Sequence, residues 1–109
     1  KENDRLTFKV ARGNDLWVHA RGLPGAHVVV PVARGAAVDP ETLLDACALA
    51  AHYSGAKGEA VAEIAHTQVR HVRKPKGSTP GAVLYVQEKV LPYRHDPARI
   101  ERLLAQQPG

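Results

Sequence analysis

The chain has 109 residues, which suits a single domain, and its 44% hydrophobic share suits an ordinary core and not a disordered tail. Lys and Arg number 15 against 11 Asp and Glu, so the net charge is +4 and an anionic partner is favoured wherever that excess is concentrated. One cysteine, Cys47, cannot form an intramolecular disulfide, and no apolar run is long enough to span a membrane. Composition therefore argues against a secreted or membrane protein and favours a cytoplasmic location.

The N-terminal part of the chain predicts a β-hairpin. Runs of β-branched, aromatic and apolar residues cover Arg5–Ala11 and Asp15–Ala20, with an Arg-Gly-Asn turn between them. Side chains alternate along a strand, so Trp17 and His19 share one face of the second run. A Gly-Leu-Pro-Gly turn then leads to His27–Val32, whose nearly continuous apolar character predicts a central or buried strand.

The clearest helix signal starts at Asp39, which suits the N-cap, and Pro40, which suits the first helical position. The helix is predicted to run to Tyr53, where a Ser-Gly pair follows. Apolar residues at intervals of three and four form a stripe that should pack on a sheet. This stripe consists of Leu43, Leu44, Cys47, Ala48 and Ala51.

The second half of the chain predicts two more strands and a short helix. Ala60–Val72 is predicted as a strand that leads into a basic loop, and Ala82–Val90 as the next strand. Asp96 and the proline after it open a short C-terminal helix within residues 96–106. The predicted fold is a single α+β domain over residues 1–109, with a small mixed or antiparallel sheet packed against one main helix.

A basic segment from His66 to Ser78 contains no acidic residue. Such a one-sided charge attracts phosphate groups through counterion release. The alternative is a solvated strand end and loop with no partner. The cationic side chains of the segment are Arg70, Arg73, Lys74 and Lys76, and its histidines are His66 and His71.

The other candidate residues do not indicate catalysis, a cofactor or a metal. The six histidines lack the close spacing of a structural zinc site, and no nucleotide-binding glycine motif is present. Cys47 lies on the apolar stripe and is interpreted as a small buried hydrophobe. Trp17 either fills the core or stacks on a base, and the core is favoured because aromatic residues are only 5% of the chain. His19 and His27 are predicted to flank one surface beside the Pro-Gly turn.

Several runs together resemble the NFACT-R (NFACT RNA-binding) domain of the fibronectin-binding protein A and RqcH-like ribosome quality control family. Their order and spacing hold over about residues 3–90, which makes the combination specific although each run alone is weak. The runs are Asn3-Asp4 before Leu6-Thr7-Phe8, Asp15-Leu16-Trp17-Val18-His19, Pro24–Val30, Leu49–Ser54, Thr67–Gly77 and Pro80–Val83.

The resemblance implies an RNA-binding module that works near ribosomes, with rRNA or tRNA and the large ribosomal subunit as partners. Full-length members direct C-terminal tailing of stalled nascent chains through other domains, so that activity is not assigned to this chain alone. Two departures are expected: the family's first hairpin is missing before Asn3, and residues 96–106 are helical where the family has a short tail.

The resulting hypothesis is a non-enzymatic RNA-binding module in the rescue of stalled ribosomes. Arg70, Arg73, Lys74 and Lys76 are predicted to contact phosphates together with His71, while Trp17, His19 and His27 shape the adjacent surface. Two alternatives stay open: a protein-interaction module that recognises an acidic or host matrix protein, and a metal-dependent hydrolase. The sequence leaves the oligomeric state open.

Overall fold

The computed structural model describes residues 12–23, 27–55, 59–73 and 83–106. The predicted first strand of the N-terminal hairpin, Arg5–Ala11, lies outside these ranges. In chain order the described elements are β1 (Leu16–Ala20), β2 (Val28–Val30), α1 (Pro40–His52), β3 (Val61–Gln68), a 3-10 turn (Val69–His71), β4 (Val72–Arg73), β5 (Leu84–Tyr85), β6 (Lys89–Arg94) and α2 (Pro97–Ala105).

The main sheet has four strands in the order β2-β1-β3-β6, and every neighbouring pair is antiparallel. Val18 at the middle of β1 lies opposite Val28 on one side and His66 on the other. A second, two-stranded sheet pairs β4 with β5. With one main helix and a short C-terminal helix, the predicted α+β fold is confirmed.

Helix α1 begins where the sequence predicts. The Asp39 carboxylate accepts hydrogen bonds from the backbone N–H of Thr42 at 2.9 Å and from its hydroxyl at 3.0 Å, and Pro40 occupies the first turn. The helix lies across one face of the sheet and buries mainly small side chains, so its backbone comes close to the strands. Its buried residues are Ala46, Cys47, Ala48, Ala50 and Ala51, while Leu43 and Leu44 are half-buried at the margin.

The strands contribute the larger side chains of this core. Val18 and Ile64 are fully buried beneath α1, and Tyr93 of β6 is 5% exposed. Leu16, Ala20 and Ala62 extend the same apolar layer along β1 and β3. The alternation of inward and outward residues on β1 therefore leaves Trp17 and His19 on the opposite face of the sheet.

Helix α2 confirms the predicted C-terminal helix, and it packs on the domain. The Asp96 carboxylate caps it by accepting a hydrogen bond from the backbone N–H of Arg99 at 3.2 Å. Ile100 and Leu103 contact the core beside α1. Because this apolar edge is covered within the chain, α2 acts as an additional layer over α1.

Ion pairs hold α2 against α1. The Arg99 guanidinium donates to the Asp45 carboxylate at 2.7 Å and to the Glu41 carboxylate at 3.0 Å. Arg102 reaches the same Asp45 oxygen at 2.7 Å. Hydrogen bonds to these carboxylates raise the pKa of Arg99, so the guanidinium stays charged over the whole accessible pH range.

The prediction that His27–Val32 forms a central or buried strand is wrong. Only Val28–Val30 is extended into the sheet, and β2 is an edge strand with half-buried residues. Its continuous apolar character has another cause, since Val28 and Val30 pack against the core beneath α1 while Val29 packs against the opposite face. An edge strand covered on both faces has the same sequence pattern as a central one.

The predicted single strand Ala82–Val90 is also wrong. Chain direction changes at Gln87, which has a φ of 61° in the left-handed region, so β5 and β6 belong to different sheets. The Thr67 hydroxyl donates to the Val86 carbonyl at 3.1 Å, and the Val86 N–H donates to the His71 carbonyl at 3.1 Å. These contacts are made with residues distant in sequence, so local alternation could not reveal the break.

The predicted strand Ala60–Val72 is interrupted in a similar way. β3 ends at Gln68, and a 3-10 turn then redirects the chain into the short strand β4. The Val69 N–H donates to the Asp15 carbonyl at 2.9 Å and the Arg70 N–H donates to the Gly13 carbonyl at 3.0 Å. The turn before β1 therefore sets the position at which β3 stops.

Candidate nucleic-acid interface

Four aromatic or imidazole rings meet on the face of the sheet opposite α1. Trp17 lies 4.9 Å from Tyr85, 5.1 Å from His27 and 5.6 Å from His19, measured between ring centroids. The rings of His19 and His27 are 5.0 Å apart and perpendicular. We call these four residues the ring cluster. The structure thus brings together Trp17, His19 and His27, which the sequence predicts to share one surface, and adds Tyr85.

Trp17 is the centre of the ring cluster and is 0% exposed. Val69 and Val72 are buried against it, and Val29 and Val83 pack at its margin. The core interpretation of this tryptophan is therefore confirmed, and its ring face is not accessible for stacking on a base. Instead, the Trp17 side chain packs against Val69 of the 3-10 turn and Val72 of β4.

The two histidines of the ring cluster differ in exposure. His27 is 8% exposed, whereas His19 is half-buried. Burial lowers the pKa of His19, because a charged imidazolium loses solvation there. At neutral pH His19 is therefore a neutral hydrogen-bonding ring and not a cation for phosphate.

The basic segment passes through the 3-10 turn, where Arg70 is exposed and held in a fixed position. Its backbone N–H and its side-chain Nε both donate to the Gly13 carbonyl, at 3.0 and 3.3 Å. The other two guanidinium nitrogens are left for an external acceptor, since Arg70 forms no ion pair with a described residue. Such a guanidinium can bind a phosphate with a defined orientation.

Two more described residues of the basic segment, His71 and Arg73, lie at the second sheet. Arg73 is exposed at the end of β4, opposite Leu84, and His71 is half-buried at the end of the 3-10 turn. Lys74 and Lys76 lie outside the described residues. Arg70 and Arg73 are therefore the two predicted phosphate-binding cations whose positions the structure gives.

The turn that carries Gly13 is itself fixed to the end of β2. The buried Asp15 carboxylate accepts hydrogen bonds from the backbone N–H of Arg12 at 2.8 Å and of Val32 at 3.0 Å. The Asn14 side-chain amide donates to the Val32 carbonyl. Asp15, part of the Asp-Leu-Trp-Val-His run, thus joins two loops, and this position for Arg70 depends on it.

Two cations that sequence reasoning missed, Arg34 and Lys89, lie at the same end of the sheet. Arg34 is on an exposed turn in which the Ala36 N–H donates to the Ala33 carbonyl at 2.9 Å. Lys89 is the first residue of β6 and pairs with His66. Neither belongs to a basic run, so only the tertiary structure reveals that Arg34 lines the same cavity as Arg70 and that Lys89 lies beside His66 of the basic segment.

The described residues offer little support for other sites. No group of three or more histidine, cysteine or carboxylate side chains in these ranges could hold a metal ion. Neither α1 nor α2 is long and apolar enough to cross a membrane.

Comparison with protein families finds one match that covers most of the chain. Residues 1–87 match the model of the NFACT protein RNA binding domain. The matched range contains the ring cluster, α1 and the basic segment, and it ends before β6 and α2. It agrees with the extent of the resemblance seen in the sequence.

Curated relatives carry the name Rqc2 homolog RqcH. The Bacillus subtilis protein is 39% identical over 85 residues, which are 78% of this chain and 14% of that protein. The Streptococcus pneumoniae protein is 36% identical over 101 residues, which are 91% of this chain and 18% of that protein. This chain therefore spans less than a fifth of the length of these relatives.

A solved structure has the same fold. The C-terminal part of the fibronectin/fibrinogen-binding protein from Streptococcus suis matches with a TM-score of 0.83 and 34% sequence identity. The match covers 93% of this chain and 40% of that chain. The structural match covers more of this chain than the match to the family model does.

Proposed function

This chain belongs to the NFACT protein RNA binding domain family, and from that membership we propose that it is an RNA-binding module of ribosome-associated quality control. The ligand proposed is rRNA or tRNA on or near the large ribosomal subunit, which implies a cytoplasmic location. The observation that carries the proposal is the family match over residues 1–87, which includes a basic segment with exposed, fixed arginines. Tailing of nascent chains is not proposed for this chain.

The proposed contacts begin at Arg70 and Arg73. Both are exposed, and neither forms an ion pair with a described residue. Arg99 is different, because three carboxylates surround it and its side chain is only 14% exposed. The proposal assigns phosphate binding to Arg70, Arg73, Lys74 and Lys76, with His71 beside them.

The ring cluster has a supporting role in the proposal. Trp17 packs against Val69 and Val72, which flank Arg70 and lead to Arg73. His19 and His27 contact the Trp17 ring and maintain its position. A buried platform of this kind favours recognition of RNA by shape and backbone charge, and does not provide an exposed stack for bases.

The test is a fluorescence anisotropy titration of labelled tRNA and of a short single-stranded RNA. Replacing Arg70, Arg73, Lys74 and Lys76 by Ala should weaken binding to both probes. The slope of the logarithm of the binding constant against the logarithm of the salt concentration should also become shallower. The expected change is about 0.7 for each phosphate of single-stranded RNA that the variant no longer neutralises. Unchanged affinity and unchanged salt slope would contradict the proposal.

A matched control separates position from total charge. The double variant Arg70→Ala/Arg73→Ala and the double variant Arg21→Ala/Arg94→Ala each remove two exposed arginines. Arg21 follows β1 and Arg94 ends β6, both at the opposite end of the main sheet. Only the first double variant should lose affinity for RNA.

A second candidate function is protein docking. The streptococcal structural relative is named for fibronectin and fibrinogen binding, and the cationic loops of this chain would also attract an acidic protein. A pull-down that recovers the same protein partner before and after nuclease treatment would favour docking. Loss of all partners after nuclease treatment would favour RNA.

A further inference from the structure

A groove runs along the loop end of the sheet, on the side that faces away from the ring cluster. It consists of two adjoining open cavities of about 510 and 380 Å³. Both cavities are lined by Asn14, Ala36 and Gln68, so they form one continuous depression. We call it the loop-end groove.

Positive charge is distributed along the full length of the loop-end groove. Arg34 and Arg70 line the first cavity, and Lys89 lines the second together with His66 and His71. Among the described residues that line either cavity, none is Asp or Glu. A row of cations in a groove whose described lining has no acidic residue suits a linear polyanion better than a single small ion.

The groove walls are already fixed by hydrogen bonds between its loops. Asp15 and Asn14 bind the backbone of Val32, and Arg70 binds the Gly13 carbonyl. The Arg34 turn contains Gly35 with a φ of 80°, a left-handed conformation that favours glycine. Little backbone ordering is needed when a ligand binds, and this lowers the entropic cost of association.

Neutral hydrogen-bonding groups lie between the cations. Burial and the nearby Lys89 ammonium lower the pKa of His66, so its imidazole is neutral at pH 7. The side-chain amide of Gln68 is exposed in the same groove. Neutral imidazole and amide groups both donate and accept, which matches the dual character of a ribose 2′-hydroxyl.

We propose that the loop-end groove binds the ribose–phosphate backbone of single-stranded RNA, with Arg34, Arg70 and Lys89 on phosphates. His66 and Gln68 contact ribose hydroxyls between these phosphates. This inference rests on the proposed RNA-binding function and extends it, because Arg34 and Lys89 lie outside the basic segment. It also gives a path for RNA that continues from Arg70 onto the α1 side of the sheet.

The test compares two double variants of the whole chain with equal loss of charge. Arg34→Gln/Lys89→Gln removes two cations from the groove, and Arg21→Gln/Arg94→Gln removes two from the other end of the sheet. Lys89 and Arg94 are the two ends of β6, about 16 Å apart at the rise of an extended strand. Circular dichroism checks that both variants keep the fold.

Binding is measured by fluorescence anisotropy with labelled oligouridylate at salt concentrations between about 50 and 200 mM. The groove variant should bind roughly tenfold more weakly, and its salt slope should fall by about 1.4, the value for two phosphate contacts. The control variant should stay within about twofold of the wild type, since exposed charges far from the ligand contribute little. Equal affinities of the two variants would overturn the groove assignment.

Four further results distinguish the failures. Wild-type chain that does not bind RNA would refute the proposed function and the groove together. If the Arg70→Ala/Arg73→Ala variant loses affinity for RNA and the Arg34→Gln/Lys89→Gln variant does not, the proposed function is kept and the groove assignment is refuted. Equal affinity for oligodeoxyuridylate would overturn the ribose contacts, and equally strong binding of polyglutamate would make the groove a site for acidic peptides.

Discussion

The two faces of the main sheet are built from different kinds of side chain. The α1 face is closed by small residues of the helix packed on Val18 and Ile64, and α2 adds a further layer. The opposite face has a core of three buried residues, centred on Trp17, with two histidines and a tyrosine against it. The first face holds the domain together, whereas the second joins the sheet to the loops that carry the arginines.

This difference separates stability from binding in the molecule. Arg99, at the contact between α1 and α2, is used in ion pairs with Asp45 and Glu41. Arg70 and Arg73, which follow the buried Val69 and Val72, are exposed and have no ion pair among the described residues. A large ring beneath a short turn can hold exposed cations without neutralising them.

The largest predicted effect comes from removing the centre of the ring cluster. Trp17→Ala should lower the free energy of unfolding by about 3–5 kcal/mol, since it deletes a fully buried indole and leaves a cavity. Urea denaturation measures the change. The control is Val90→Ala in the same sheet, at a side chain that is 41% exposed, where a change within about 1 kcal/mol is expected. Equal effects of the two variants would mean that this face is not a core.

A smaller effect is predicted for the ion pairs that hold α2. Arg99→Ala should cost about 1–2 kcal/mol because its charged hydrogen bonds to Asp45 and Glu41 are removed. Arg102→Ala removes a more exposed guanidinium from Asp45 and should cost about 0.5 kcal/mol. Thermal unfolding of the two variants measures the difference, and a larger destabilisation by Arg102→Ala would contradict it.

The thiol of Cys47 reports separately on the opening of the α1 face. Burial raises the pKa of Cys47 to about 12, so the native thiol should react slowly with a disulfide reagent. Arg99→Ala should accelerate the reaction by releasing α2. Arg99 lowers the pKa of this thiol, so its removal alone would slow the reaction, and a faster rate can only come from opening.

The smallest predicted effect is a pH dependence that arises from the ring cluster. Burial lowers the pKa of His19 in the folded state, so below about pH 6.5 the unfolded state binds more protons. The contribution of His19 to stability is complete above that pH and is lost as the pH falls towards its folded-state pKa. His66 contributes in the same direction.

Replacing His19 should therefore reduce this acid sensitivity. Urea denaturation of wild type, His19→Gln and His95→Gln between about pH 6.5 and 5 measures it, and His95 is the control because it is exposed. The free energy of unfolding should fall less with acidification in His19→Gln than in the other two proteins. Parallel curves for all three would show that His19 does not carry the effect.

Local signals were sufficient for several elements. Asp39 and Pro40 marked the start of α1, Asp96 and the proline after it marked α2, and strand alternation placed Trp17 and His19 on one face. These features depend on residues within a few positions of one another. The basic segment could be recognised for the same reason. The hydrogen bonds of Arg70 to the Gly13 carbonyl could not be predicted, because the two residues are far apart in the sequence.

The sequence by itself determined the two helices, the shared face of Trp17 and His19, and the family through its ordered runs. Only the tertiary structure decided that β2 is an edge strand, that the chain changes direction at Gln87, and that Arg34, Arg70 and Lys89 line adjoining cavities. Helix caps and the alternation of side chains along a strand depend on residues within a few positions of one another. Sheet order and the joining of loops by Asp15 depend on contacts between distant residues, which no local pattern records.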